Sequence, residues 1–299
     1  MIRSILRRLR SYYHSARLQA LGTEPRWTKV SGAFEMFIDP KDDLDQEFYL
    51  GTFEPAMRRL ITEFVAAGDT CLDIGAQKGF VSLTMAKAVG GSGRVFSFEA
   101  DSRAAEKFLA NVKRAKLQTI HLHECALGDK EGSCIFTLSN VLGWSSRFPN
   151  EIAKTAVEKT VEVEMHTLDA MVERKEVVIE AGKLSFIKLD VEGSEPFVVK
   201  GMRKVLSTAR PLIFLEVNYD SLAAAGSSAR ELQTLLQDLG YEFFQPRVSG
   251  YFRKLSLKRV ADLDSLRPAN CHFTNAVAIH RTVPESSKRI SRLITDNRR

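Results

Sequence analysis

No apolar run in the 299 residues approaches the roughly 18 to 20 residues that a membrane span needs. The N-terminus, MIRSILRRLRSYYHSARLQ, also lacks the uninterrupted apolar stretch of a signal peptide. Cysteine is scarce. Cys71, Cys125, Cys134 and Cys271 show no C-x-x-C spacing, so neither a zinc site nor a disulfide framework is expected. Cys71 and Cys125 fall in apolar strand patterns and read as buried thiols, consistent with a cytoplasmic protein. Acids are missing from residues 1–20, which hold Arg3, Arg7, Arg8, Arg10 and Arg17. Residues 281–299 are also basic, so the overall charge of +6 belongs to the ends and the middle is net acidic. No basic nucleic-acid groove is expected from that distribution. Internal repeats and low-complexity tracts are absent too.

What is present begins with LDIGAQKGF at residues 72–80. Leu72 to Ile74 reads as the end of a buried strand, and Gly75 and Gly79 allow a tight turn into a helix. Twenty residues past Gly79, Glu99 ends a second apolar strand, VFSFE. A carboxylate there can accept both hydroxyls of a ribose, as in doubly wound folds that hold an adenosine. A dinucleotide turn wants G-x-G-x-x-G, whereas this one is Asp73-x-Gly75-x-x-x-Gly79. An acid in that place would repel a pyrophosphate and suit the ammonium group of S-adenosyl-L-methionine.

The elements alternate along most of the chain. A helix at 53–66 precedes strands at 70–74, 94–99, 119–127, 184–190 and 211–217, with helices at 80–89, 103–115, 195–207 and 228–239 between or after them. Strands near 241–245 and 274–280 look like an antiparallel pair. Alternation breaks where 128–138 and 157–168 read as two further strands around a long loop, NVLGWSSRFPNEIAK. Long loops inside compact domains are usually functional or disordered, and Trp144 could cover an acceptor or pack in the core.

A third group of residues is FIKLDVEGSEPFVVKGM at 186–202. Asp190 stands at a strand's carboxyl end, and Glu192 shares its face if the chain stays extended. Ser194 can cap the following helix. Glu216 ends the next strand, so three acids converge on one rim. His121 and His123 alternate on a strand and read as structural. His166, beside the long loop, is the histidine to test as a base.

GTFEP, LDIGAQKGF, FSFEAD, ALGDKEG, TLDAMV, IKLDVEGSEPFVVKGM and IFLEVN occur in the order typical of FkbM-type S-adenosylmethionine-dependent methyltransferases, and the chain resembles that family over roughly residues 48–280. The resemblance implies an α/β fold: a Rossmann-like, seven-stranded class I methyltransferase sheet with helices on both faces. It implies O-methylation of a small hydroxylated acceptor such as a sugar, glycolipid or polyketide. The cofactor set it implies is Glu54, Asp73, Gly75, Gln77, Gly79, Glu99 and Ala126, and the signature after the fourth strand is Asp190, Glu192, Gly193 and Glu195. Two departures occur in the turn. Gln77 replaces the usual Asn, and Lys78, replacing an apolar residue, puts a cation near the sulfonium. The expected domains are a basic helical extension at 1–47, a catalytic domain at 48–282 and a basic tail at 283–299.

A sulfonium methyl is already activated, so the protein must position the acceptor and remove its proton. Asp190, Glu192 or His166 could be the base, or Asp190, Glu192 and Glu216 could hold Mg²⁺. Two competing readings are an NAD-dependent oxidoreductase, disfavoured by the missing third glycine, and a noncatalytic adaptor, disfavoured by the intact turn. Ile2, Ile5, Leu6 and Leu9 lie at helical spacing among arginines, which reads first as a helix packed on its own domain or fraying, with weak contact with an anionic membrane surface as the alternative.

Overall fold

The computed structural model describes residues 2–31, 33–141, 143–249, 254–282 and 292–294, with the backbone alone for 2–11. The chain opens with α1 (Ile2–Leu21), β1 (Arg26–Val30), β2 (Phe34–Ile38), α2 (Asp43–Leu50) and α3 (Pro55–Phe64). There follow β3 (Thr70–Ile74), α4 (Phe80–Val89), β4 (Arg94–Phe98), α5 (Ser102–Ala115), β5 (Ile120–His123), β6 (Ala126–Leu127) and β7 (Gly132–Ser139). Next come α6 (Glu151–Lys154), β8 (Val157–His166), α7 (Leu168–Glu173), β9 (Leu184–Leu189), α8 (Glu195–Gly201), α9 (Arg203–Ala209) and β10 (Leu212–Asn218). The last elements are α10 (Tyr219–Ala224), α11 (Ala229–Asp238), β11 (Tyr241–Ser249), β12 (Lys254–Val260) and β13 (Phe273–His280).

The main sheet has eight strands in the order β12-β11-β13-β10-β9-β3-β4-β5. The block from β10 to β5 is parallel, and β13, β11 and β12 add antiparallel. Parallel strands are covered on both faces, which is why their sequences are almost continuously apolar. Leu72, Ile74, Ile187, Leu189, Ile213 and Leu215 pack into one core with α8 and α11, while Cys71, Phe186, Leu212 and Phe214 face the opposite core with α3 and α4. Helices thus cover both faces, as expected, and Cys71 and Cys125 are buried free thiols.

The structure corrects the expected elements in three places. The main sheet has an eighth strand, β12, whose alternating Leu255 and Leu257 form its buried face. The single strand expected at 119–127 is two: β5 joins the main sheet, whereas β6 joins a separate three-stranded sheet, β6-β8-β7. The helix expected over 195–207 divides at Met202 into α8 and α9.

Before β3, residues from Leu21 to Phe48 pack in the same apolar cluster as α4. Phe48 stacks on Phe80 with ring centres 4.4 Å apart, and Asn111 of α5 accepts the Phe37 amide at 2.9 Å. The apolar stripe Ile2, Ile5, Leu6 and Leu9 has its side chains outside the described residues, as has most of 283–299. No helix among the described residues is long and apolar enough to cross a membrane.

Candidate active site

The turn after β3 places three residues at positive φ: Gly75 at 81°, Gln77 at 48° and Gly79 at 87°. Gly75 is required by contact as well as by φ. A Cβ there would lie 1.8 Å from the backbone oxygen of Asp190, a distance no adjustment of a side chain relieves. The turn is therefore built directly against the segment that follows β9. Lys188 joins the same two pieces. Its buried Nζ donates to the Gly75 oxygen at 2.5 Å and pairs with Asp190 Oδ2 at 3.1 Å. Burial opposes the charge of Lys188, but Asp190 and Asp73 outweigh it and raise its pKa. Sequence reasoning passed over Lys188, although a lone cation inside the apolar run FIKL was a visible sign that it must be paired.

Glu99, at the end of β4, has a well-defined task in this geometry. Oε2 accepts the Gln77 amide at 2.7 Å and Oε1 accepts the Asp101 amide at 2.8 Å. Each oxygen keeps a lone pair, and the residue is only partly exposed. One anchored carboxylate beside a left-handed turn can accept from both hydroxyls of a ribose, so the residues present fit the adenosine of S-adenosylmethionine. Burial lifts the Glu99 pKa to about 7 against the two amides.

Asp73 and Lys78 do not do what the sequence suggested. Asp73 has no exposed surface. Its Oδ2 accepts the Ser82 hydroxyl at 2.5 Å, its Oδ1 has no hydrogen-bond partner, and Lys188 Nζ lies 3.9 Å away. Its cation is internal, so in this conformation it faces no ammonium of a ligand. Lys78 likewise turns away from the cofactor side. It is 2% exposed and pairs with Asp42 at 2.5 Å and Asp45 at 2.9 Å, at the start of α2. A buried lysine needs such partners, and nothing local in the sequence pointed to acids more than thirty residues upstream. Ala126 opens β6 and pairs with Met165, so its backbone serves the second sheet.

The acid rim does assemble. Asp190, Glu192 and Glu216 can each bring one oxygen within 4.8 Å of the others. The reason is not strand alternation, as expected, because the chain leaves the extended state at once. Glu192 has φ 50° and Gly193 φ 97°, and a Cβ on Gly193 would lie 2.4 Å from the Ser221 oxygen. Strain of this kind at a glutamate persists only where the surroundings hold it. They do so through Asn218 Nδ2 and Ser221 Oγ, which donate to Glu192 Oε2 at 3.0 and 3.1 Å. Glu195 turns inward and accepts the Val191 and Gly193 amides at 2.9 and 3.0 Å, whereas Ser194 makes no capping bond. Burial, with the charges of Asp190 and Glu195, raises the Glu192 pKa to about 8. Burial and the surrounding acids also raise Glu216. Glu54, expected on the cofactor, belongs with this rim: it accepts from Asn275 Nδ2 at 2.8 Å, and burial with the Asp190 charge raises its pKa.

His166 is not brought to the rim. Its ring nitrogens lie 3.1 Å from Glu131 and 3.6 Å from Glu164, on the second sheet. His121 and His123 stack on Phe96 and Phe98. The long loop, by contrast, is part of the site. Ser145 Oγ donates to Asp101 Oδ2 at 2.8 Å on the Glu99 side, and Asn150 Nδ2 donates to Ser221 Oγ at 2.9 Å on the acid side. Between them Phe148 stacks on Phe197 at 5.3 Å. Trp144 is 41% exposed, so it is not core.

A sequence model of the FkbM methyltransferase domain matches residues 73–243, more than half of the chain. No curated protein matches it significantly. Among solved structures, an FkbM methyltransferase from Methylobacillus flagellatus is 15% identical, with a TM-score of 0.42, over 79% of this chain and 54% of that one. An O-methyltransferase from Bacillus cereus in complex with SAH is 13% identical, with a TM-score of 0.41, over 76% and 79%. A precorrin-6y C5,15-methyltransferase from Geobacter metallireducens is 12% identical, with a TM-score of 0.40, over 75% and 87%. With the family domain spanning both the donor turn and the acid rim, the chain belongs to the FkbM methyltransferase family and is an S-adenosylmethionine-dependent methyltransferase.

Proposed function

We propose that the chain methylates a hydroxyl of a small acceptor such as a sugar, glycolipid or polyketide-like molecule. The observation that carries this reading is the direct seam between the donor turn and the acid rim: Gly75 against Asp190, bridged by Lys188. Transfer needs donor and acceptor held together in line, and a rigid seam supplies that positioning. The donor itself supplies an activated methyl on its sulfonium. Glu99 takes the ribose diol, and Gln77 and Gly79 shape the turn. Asp190 and Glu192 orient the acceptor hydroxyl and take up its proton. Once ionised, a carboxylate whose pKa is raised to about 8 is a stronger base toward an alcohol than an ordinary one. The strained turn and two donors fix which Glu192 oxygen is committed, leaving Oε1 for the acceptor.

A second reading rests on the spacing of Asp190, Glu192 and Glu216. This all-oxygen set fits Mg²⁺, which would lower the pKa of the bound hydroxyl. The test of the whole reading is methyl-labelled S-adenosylmethionine with fractionated metabolites, with and without EDTA. Label in a hydroxylated low-mass product is expected, and its loss on chelation would select the metal version. Label confined to macromolecules would contradict the small acceptor. Calorimetry with NAD should show no binding.

A further inference from the structure

The segment Gly143–Asn150 is fastened at two ends that the sequence keeps far apart. At one end Ser145 bonds to Asp101, whose amide holds Glu99 Oε1, and Gly143 lies against the donor turn: a Cβ there would come within 2.7 Å of Gln77 Nε2. At the other end Asn150 bonds to Ser221, which in turn bonds to Glu192 Oε2. The segment thus crosses the carboxyl edge of β4, β3, β9 and β10. Three interstrand spacings are about 14 Å. Ser145 to Asn150 can reach at most about 17 Å. Between its ends the segment is held where Ser146 and Thr137 exchange backbone hydrogen bonds at 3.0 and 2.8 Å and where Phe148 stacks on Phe197.

We propose that Asn150 is a positioning residue for both substrates: through Ser221 it fixes Glu192, and through the segment it anchors it retains the donor at a turn it never touches. Its side chain has two separable jobs. Oδ1 caps α6 by accepting the Ala153 amide at 2.8 Å, while Nδ2 makes the link to Ser221. Serine at this position can still cap a helix but is too short to reach Ser221. Asn150→Ser therefore separates the link from local folding, which Asn150→Ala does not.

This inference rests on the methyl-donor reading. The experiment measures dissociation of labelled S-adenosylmethionine chased with unlabelled S-adenosylhomocysteine, in wild type, Asn150→Ser, Ser221→Ala and the double variant, with melting curves for each. Asn150→Ser is expected to melt with wild type and release the donor at least threefold faster. The double variant should release it no faster than Ser221→Ala, because both changes cut one link. Failure of wild type to bind the donor overturns the functional reading and this inference with it. Donor binding with an unchanged release rate in Asn150→Ser, or additive effects in the double variant, overturns the inference alone.

Discussion

The proposed donor side and the proposed acceptor side of this site are built in different ways. On the donor side the working groups are main-chain turns and one glutamate, held by the Asp101 amide two residues on and by the Gln77 amide, which follows the adjacent parallel strand. On the acceptor side the acids are held by side chains from β10, α10 and the long loop. The first arrangement follows from backbone geometry and tolerates little change. The second is assembled from side chains on separate segments.

The comparison breaks most completely at the seam. Gly75→Ala places a Cβ on the Asp190 backbone at positive φ, so loss of measurable donor binding and destabilisation by about 3 kcal/mol or more are expected in calorimetry and denaturant melts. An alanine protein that still binds the donor would show that the seam is not rigid. Asp190→Asn should cut turnover roughly 10²-fold or more while donor affinity holds. Unchanged turnover would remove Asp190 from the acceptor chemistry.

Lys78→Met sharpens the comparison from outside the site. Removing the cation leaves Asp42 and the buried Asp45 uncompensated, with a cost of about 3 kcal/mol in a denaturant melt. Donor affinity in the protein that remains folded should be unchanged, whereas a loss of affinity would return Lys78 to the donor side. The smallest effect is that of pH on donor binding. The free Glu99 carboxyl titrates near 7, and a diol needs the anion as acceptor. Affinity should therefore rise as pH increases through about 7 and weaken by up to tenfold per unit below it. Glu99→Gln should flatten that profile.

How much of this was legible in the sequence differs between the two sides for the same reason. Strand β3, the turn and helix α4 lie where the pattern LDIGAQKGF puts them, because the signal is local: an apolar run, two glycines and a helix start. Glu99 lies in an adjacent parallel strand, at the spacing a βαβ unit fixes. The three acids were also visible as strand ends, but their convergence depends on a left-handed turn at Glu192, an ordinary-looking residue in sequence. Asn150, Asn218 and Ser221 gave no signal, since each works through a contact between distant segments, and the two asparagines also fill a common helix-capping role. Lys78 and Asp73 misled because a charge beside a cofactor turn looks like a ligand contact until its buried partner is known. His166 misled likewise, because proximity to a functional loop in sequence did not carry over to the site.

The most direct test of the account is titration of S-adenosylhomocysteine into wild type, Glu99→Ala and Asp190→Asn at pH 8, where the Glu99 carboxyl is ionised. The account predicts binding to wild type, at least tenfold weaker binding by Glu99→Ala, about 1.4 kcal/mol, and a change of less than twofold in Asp190→Asn. Equal affinities for wild type and Glu99→Ala, or a larger loss in Asp190→Asn, would contradict the division of the site into a donor side and an acceptor side.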